Sequence, residues 1–168
     1  MLFAFRKIKR SKLARSSYAK VLASYYVRRF LDAQPETLPG LRNRAMIPLG
    51  YELLTRRSEL VALRTDDIQS RPDGTLKVMI RRSKSDQFGE GRTAFTSRET
   101  TKTVLDWIKA RQIDCEPLFC PVYKGRAVNR SLSDMTVRRL VKETAECAGL
   151  PKNIVTQFSG HSFRVGAA

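Results

Sequence analysis

Only one stretch of this sequence alternates apolar and polar residues at the period of a β-strand. In "TLKVMI" (75–80), Leu76, Val78 and Ile80 recur at period two, the spacing that puts side chains on one face of a strand. "RPDG" precedes it, with Pro72, Asp73 and Gly74 as a turn signal, and "DDIQS" (66–70) lies before the turn. The segment therefore reads as a hairpin. A polar loop, "SKSDQFGEG" (83–91), leads to a third strand, "RTAFTS" (92–97). This is enough for one small antiparallel sheet and no more, so the rest of the core must be helical.

The helices are read from spacings of three and four and from their end signals. They are "VLASYYVRRFLDAQ" (21–34), "LRNRAMIPLGYELL" (41–54), "RSELVAL" (57–63), "RETTKTVLDWIKARQ" (98–112) and "LSDMTVRRLVKETAECAGL" (132–150). The second reads as a buried helix kinked at Pro48. The third ends at Thr65 and Asp66. The fourth has Ser97 as N-cap and an apolar stripe of Val104, Trp107 and Ile108, which Arg111 ends. The fifth carries Val137, Leu140, Val141 and Ala145 on one face and is closed by Gly149 and Pro151. "CEPLFCPVYKGRAVNRS" (115–131) reads as a loop, and "SGHSFRVGAA" (159–168) as a turn opening a new helix. The fold class is mainly α with a small antiparallel β-sheet.

The 168 residues hold 32 Lys and Arg against 16 Asp and Glu, a net charge of +16. The length suits one domain, and the charge calls for an anionic partner, nucleic acid first. Ribosomal and membrane-surface proteins share such a balance. Residues 1–30 carry nine Lys or Arg and no acid. Lys9, Arg10 and Lys12 sit in a basic arm or linker, residues 1–20, ahead of a domain over 21–168. No apolar run approaches the ~20 residues of a membrane span. The N-terminal run "MLFAF" precedes its charges, the reverse of a signal peptide. The expected location is cytoplasmic, on the nucleoid. Cys115, Cys120 and Cys147 lack the four-ligand spacing of a zinc site and read as free thiols.

The polar residues set in apolar or loop positions are few. In "RRSEL", Arg56 and Glu59 are three apart on a helix start among leucines, so they share a face and can pair. Lys84 heads the polar loop after a strand, and His161 and Arg164 are three apart near the end. Each alone suits a structural role. Together, two arginines, a lysine and a histidine without clustered carboxylates suit phosphoryl transfer without a metal. Arginine forks bind the non-bridging oxygens of a phosphodiester, lysine protonates the leaving oxygen, and histidine takes or relays a proton.

The order of these motifs resembles the catalytic domain of tyrosine recombinases, the phage-integrase family of site-specific recombinases. "LLTRRSELVALRTDDI" resembles the arginine box, with Arg56 as catalytic arginine and Glu59 as its buttress. "IRRSKSDQFGEGRTAFTS" resembles the hairpin with the catalytic lysine, Lys84. "FSGHSFRVGAA" resembles the His-x-x-Arg box in its Cre-like wording, with His161 and Arg164. The resemblance covers about residues 35–168. It implies the fold of DNA breaking-rejoining enzymes and strand exchange through a 3′-phosphotyrosine link, without metal or other cofactor. It also implies double-stranded DNA as partner and four protomers on two DNA sites, with Arg57, Arg81 and Arg82 as further DNA contacts.

The family's nucleophilic tyrosine follows the His-x-x-Arg box, and Tyr18, Tyr25, Tyr26, Tyr51 and Tyr123 all precede it here. Trp107 is also far from the position of the family's His or Trp box. The 168 residues are therefore expected to form an incomplete catalytic domain without a nucleophile, able to bind DNA but not to cleave it. A non-enzymatic basic nucleic-acid-binding module is the alternative.

Overall fold

The computed structural model describes residues 23–81 and 91–158. Among them, helices surround one three-stranded antiparallel sheet, as the single alternating segment requires. The elements are α1 (Ser24–Asp32), α2 (Leu38–Glu52), α3 (Arg57–Ala62), β1 (Ile68–Ser70), β2 (Leu76–Ile80), β3 (Arg92–Phe95), α4 (Arg98–Ala110), β4 (Val122–Tyr123), β5 (Arg126–Ala127), α5 (Asp134–Cys147) and α6 (Lys152–Val155).

The central element is α2. Six consecutive residues, Ala45 to Gly50, are buried; they span more than one turn, so α2 is enclosed on all sides. Thr37 caps it, accepting from the Gly40 N–H at 3.3 Å, and Pro39 sits in the first turn, where its missing N–H costs nothing. The helix continues through Pro48. It packs most extensively on α4, while α1 lies against α2 and α5, and α3 against α5.

In the sheet, β2 is central. Leu76, Val78 and Ile80 face the core and Lys77 and Met79 face out, as period two dictates. Val78 lies opposite Ile68 of β1 and Ala94 of β3. The Pro72–Gly74 turn closes through Gly74 N–H to Arg71 O at 3.0 Å. The Asp73 carboxylate accepts from both the hydroxyl and the N–H of Thr75, at 2.6 and 3.0 Å. These bonds hold its pKa below the usual value.

Ser97 caps α4, accepting from Thr100 N–H at 3.1 Å. Glu52, the last residue of α2, binds the Ser97 N–H and both the Ser97 and Thr100 hydroxyls at 2.7–2.8 Å. An anionic side chain thus meets the positive end of α4 and fastens it to α2.

Three features depart from the sequence reading. Strand β1 begins at Ile68, because Thr65–Asp67 form a 3-10 turn. Residues 115–131 contain the small β4–β5 hairpin, its tight turn formed by Lys124 and Gly125, both at positive φ. Arg111, read as the end of the α4 stripe, is itself buried, 3% exposed. Its guanidinium donates to the carbonyls of Pro117, Leu118 and Cys115 and to the Thr65 hydroxyl. It braces the 115–120 segment, which has little secondary structure to satisfy its carbonyls.

Candidate phosphate-binding site

The arginine box stands at the C-terminal end of α2. That helix closes with the two bonds of a Schellman motif: Thr55 N–H to Gly50 O at 3.2 Å and Leu54 N–H to Tyr51 O at 3.3 Å. The motif needs one residue in the left-handed region, usually glycine. Here it is Leu54, at φ +51, and its side chain is 36% exposed rather than buried with Leu53, Leu60 and Leu63.

Two residues on, Arg56 is the extended N-cap of α3, φ −71 and ψ 157. Glu59 in the first turn grips it twice. Oε2 accepts the Arg56 backbone N–H at 2.9 Å and Oε1 accepts from the guanidinium at 2.6 Å. The pairing that the three-residue spacing predicts is present, and the backbone bond caps the helix as well. The Glu59 side chain is 5% exposed and that of Arg56 is 30% exposed. The carboxylate is therefore a buried anchor, and the guanidinium keeps access to solvent.

A second guanidinium reaches the same carboxylate. Arg92, the first residue of β3, lies 3.8 Å from Glu59 Oε2 and donates to the carbonyls of Leu53 at 2.6 Å and Leu54 at 3.4 Å. Sequence reading did not single out Arg92. Its position after the glycine-containing loop was legible, but its partners lie more than thirty residues upstream. Gly91 beside it has φ +69, and a Cβ there would stand 2.8 Å from the Ile80 carbonyl oxygen, so the base of this hairpin requires glycine.

Arg57 faces α5, 3.9 Å from Asp134. Arg81 donates to Asp67 at 2.5 Å, and that hydrogen bond and charge raise its pKa. Asp67 also accepts the Arg64 N–H at 2.8 Å. Lys84, Arg82, His161, Arg164, Lys9, Arg10 and Lys12 lie outside the described residues. Described chain does lead up to the His-x-x-Arg box. Phe158 is fully buried and packs edge-on against Phe30 and Tyr26, with ring centroids 5.4 and 5.5 Å away. Phe158 is thus anchored on α1.

A cleft of about 630 Å³ between α1, α2 and α4, lined by Tyr25, Leu31, Pro48, Tyr51 and Thr103 among others, shares none of these residues. No group of three or more metal-ligating side chains occurs among the described residues. Chemically, the arrangement is a solvent-accessible guanidinium held by a buried carboxylate and flanked by a second guanidinium. Among the described residues, two guanidiniums converge on one buried carboxylate, a donor set that suits an oxyanion.

Residues 20–168 match the phage integrase family. The chain is 34% identical over 140 residues to an integrase/recombinase XerD homolog of Selenomonas ruminantium, covering 79% of this chain and 40% of that protein. It is 30% identical over 154 residues to the recombinase Cre of Escherichia phage P1, covering 83% and 44%. In fold it is similar to the XerA recombinase, with TM-score 0.63, 17% identity and coverage of 88% of this chain and 48% of that one. It is also similar to the XerH site-specific recombinase bound to its difH substrate, with TM-score 0.64, 18% identity and coverage of 87% and 41%. The chain thus spans less than half the length of these relatives. With the arginine box, the sheet and the helical frame in the order that the motifs announce, this chain belongs to the phage integrase family.

Proposed function

We propose that the chain is a catalytic-domain segment of a site-specific DNA recombinase that cuts and rejoins strands through a 3′-phosphotyrosine link. The observation that carries this reading is the Arg56–Glu59 pair, a partly exposed guanidinium locked at a helix start by a buried carboxylate. A preorganised arginine fork matches the two non-bridging oxygens of a phosphodiester and the charge that grows on them in the transition state. In this reading Arg164 supplies the second fork, Lys84 gives a proton to the leaving 5′-oxygen, and His161 takes or relays the nucleophile's proton. The phosphotyrosine link conserves the energy of the broken bond, so rejoining draws on no nucleotide.

Residues 21–168 then form the catalytic-domain part and residues 1–20 a basic arm whose Lys9, Arg10 and Lys12 meet backbone phosphates. Arg57, Arg81 and Arg82 are further DNA contacts. Arg57 and Arg81 lie beside the carboxylates of Asp134 and Asp67. Double-stranded DNA is the partner, bound by four protomers on two sites in the complete enzyme, at the nucleoid.

All five tyrosines of these 168 residues precede His161. A polypeptide of these residues alone therefore binds duplex DNA and forms no covalent link to it. The test is incubation with a nicked suicide duplex. The expected result is salt-sensitive binding, its logarithm falling linearly with that of salt concentration, without a covalent adduct. Binding that ignores salt would sink the DNA reading. An adduct would show that a tyrosine upstream of His161 serves as nucleophile.

A further inference from the structure

The turn that presents Arg56 is strained, and one side chain from the sheet holds it. Leu54 occupies the left-handed position of the α2 terminus at φ +51, which costs an L-residue about 1–2 kcal/mol where glycine pays nothing. The carbonyls there have no further helical N–H to accept from. Arg92 donates to the carbonyls of Leu53 and Leu54 and so meets the negative end of α2 with a positive charge. Its guanidinium also faces Oε2 of Glu59, whose Oε1 binds Arg56. Arg92 itself is fixed by sheet pairing, opposite Ile80 of β2.

We infer that Arg92 is a positioning residue for Arg56: it clamps the strained α2–α3 turn to the sheet and shares the carboxylate that holds the Arg56 guanidinium. Its consequence for DNA rests on the proposed reading of Arg56 as a phosphate ligand; its consequence for Arg56 itself does not. All three contacts run from one terminal nitrogen of Arg92, Nη2, which the rigid guanidinium holds in place, whereas a lysine ammonium is a strongly hydrated point charge on a flexible stem. Loss of the clamp frees Leu54 to leave the left-handed region, and Arg56, two residues on, moves with it.

The test has two readouts on the full chain: the Arg56 side-chain Nε–H signal in NMR, taken without DNA, and the affinity for a short labelled DNA duplex. Arg92→Ala is expected to shift and broaden the Arg56 signal and to weaken duplex binding about tenfold, the scale of charged hydrogen bonds lost. Arg92→Lys is expected to behave like Arg92→Ala. Adding Leu54→Gly to either variant is expected to restore both readouts in large part, because glycine holds the turn unaided. If Arg92 were only a phosphate contact, Arg92→Lys would keep its affinity and Leu54→Gly would restore nothing; either result overturns the proposal, as does an unmoved Arg56 signal in Arg92→Ala. Should Arg92→Ala not fold, Arg92→Lys and Arg92→Gln carry the same readouts. Arg56→Ala binding the duplex like the unaltered chain would refute the phosphate reading instead, and the NMR comparison would still decide the role of Arg92.

Discussion

Glu59 holds Arg56 at two points, its backbone N–H at 2.9 Å and its guanidinium at 2.6 Å, so one buried carboxylate both starts α3 and aims the side chain. Glu59→Ala removes a cap and a charge-assisted pair together and leaves Arg56 to rehydrate. The expected loss is about 2–3 kcal/mol. Glu59→Gln keeps an acceptor for the backbone N–H and is expected to lose about half as much. Urea denaturation of the two variants measures the difference.

Leu54 stands where a glycine would be unstrained and is 36% exposed, unlike the fully buried Leu53 and Leu60. Leu54→Gly is expected to stabilise the chain by up to ~1 kcal/mol, the left-handed penalty less the added flexibility of glycine in the unfolded chain. The readout is the urea midpoint. A fall in the midpoint would mean that the leucine side chain contributes more than the turn costs.

Gly40 is required for a different reason. A Cβ at this position in the first turns of α2 would lie 1.9 Å from the backbone oxygen of Pro35. Two main-chain segments would have to separate to admit it. Gly40→Ala is expected to destabilise by about 3 kcal/mol or more, despite the better helix propensity of alanine.

Arg111 satisfies three carbonyls and a hydroxyl from within the core. Arg111→Ala would remove four hydrogen bonds from an apolar setting, while the carbonyls of Leu118, Cys115 and Pro117 keep Trp107, Thr65 and Cys115 as donors, and the expected loss is about 2–3 kcal/mol. Arg111→Lys is expected to recover only a minor part, since one ammonium cannot span the same acceptors. Chemical denaturation tests both.

The thiols should divide by burial. Cys115 and Cys120 are buried and Cys147 is exposed, and burial first, then the neighbouring Cys115 thiol, pushes the Cys120 pKa up to about 11. A thiol reagent near neutral pH is expected to label Cys147 quickly and the other two only on unfolding. Because the folded pKa of Cys120 is raised above its ordinary value of 9.0, its contribution to stability is full below that value and is lost as pH climbs towards about 11. Cys120→Ala is expected to flatten the alkaline fall in stability, measured by urea midpoints across that range.

Much of this molecule was legible because its signals are local. Period two in Leu76, Val78 and Ile80 decides which face of β2 is buried, whatever packs on it. Pro72–Asp73–Gly74 decides the turn, Ser97 the start of α4, and the spacing of Val137, Leu140, Val141 and Ala145 the inner face of α5. The Arg56–Glu59 pair belongs with these, since three residues along a helix start bring two side chains together wherever the helix lies. The order of arginine box, hairpin lysine and His-x-x-Arg box marked the family for the same reason: motifs survive as strings.

What the sequence could not carry was contact across distance. Arg111 ends an apolar stripe on paper, yet its helix buries it against residues 115–118 and Thr65. Leu54 reads as one more core leucine, but the close of α2 turns it outward into a left-handed position. Arg92 reads as a strand-initial cation, and only the pairing of β3 with β2 brings it against Leu53, Leu54 and Glu59. Local pattern thus determined the three-stranded sheet, the five longer helices and the Arg56–Glu59 anchor, but not the short β4–β5 hairpin or α6, because the former depend on neighbours a few bonds away. Tertiary packing decided that Arg111 is buried and that Arg92 braces the Leu54 turn, because burial depends on what packs over a side chain and Arg92 lies more than thirty residues from the turn it meets.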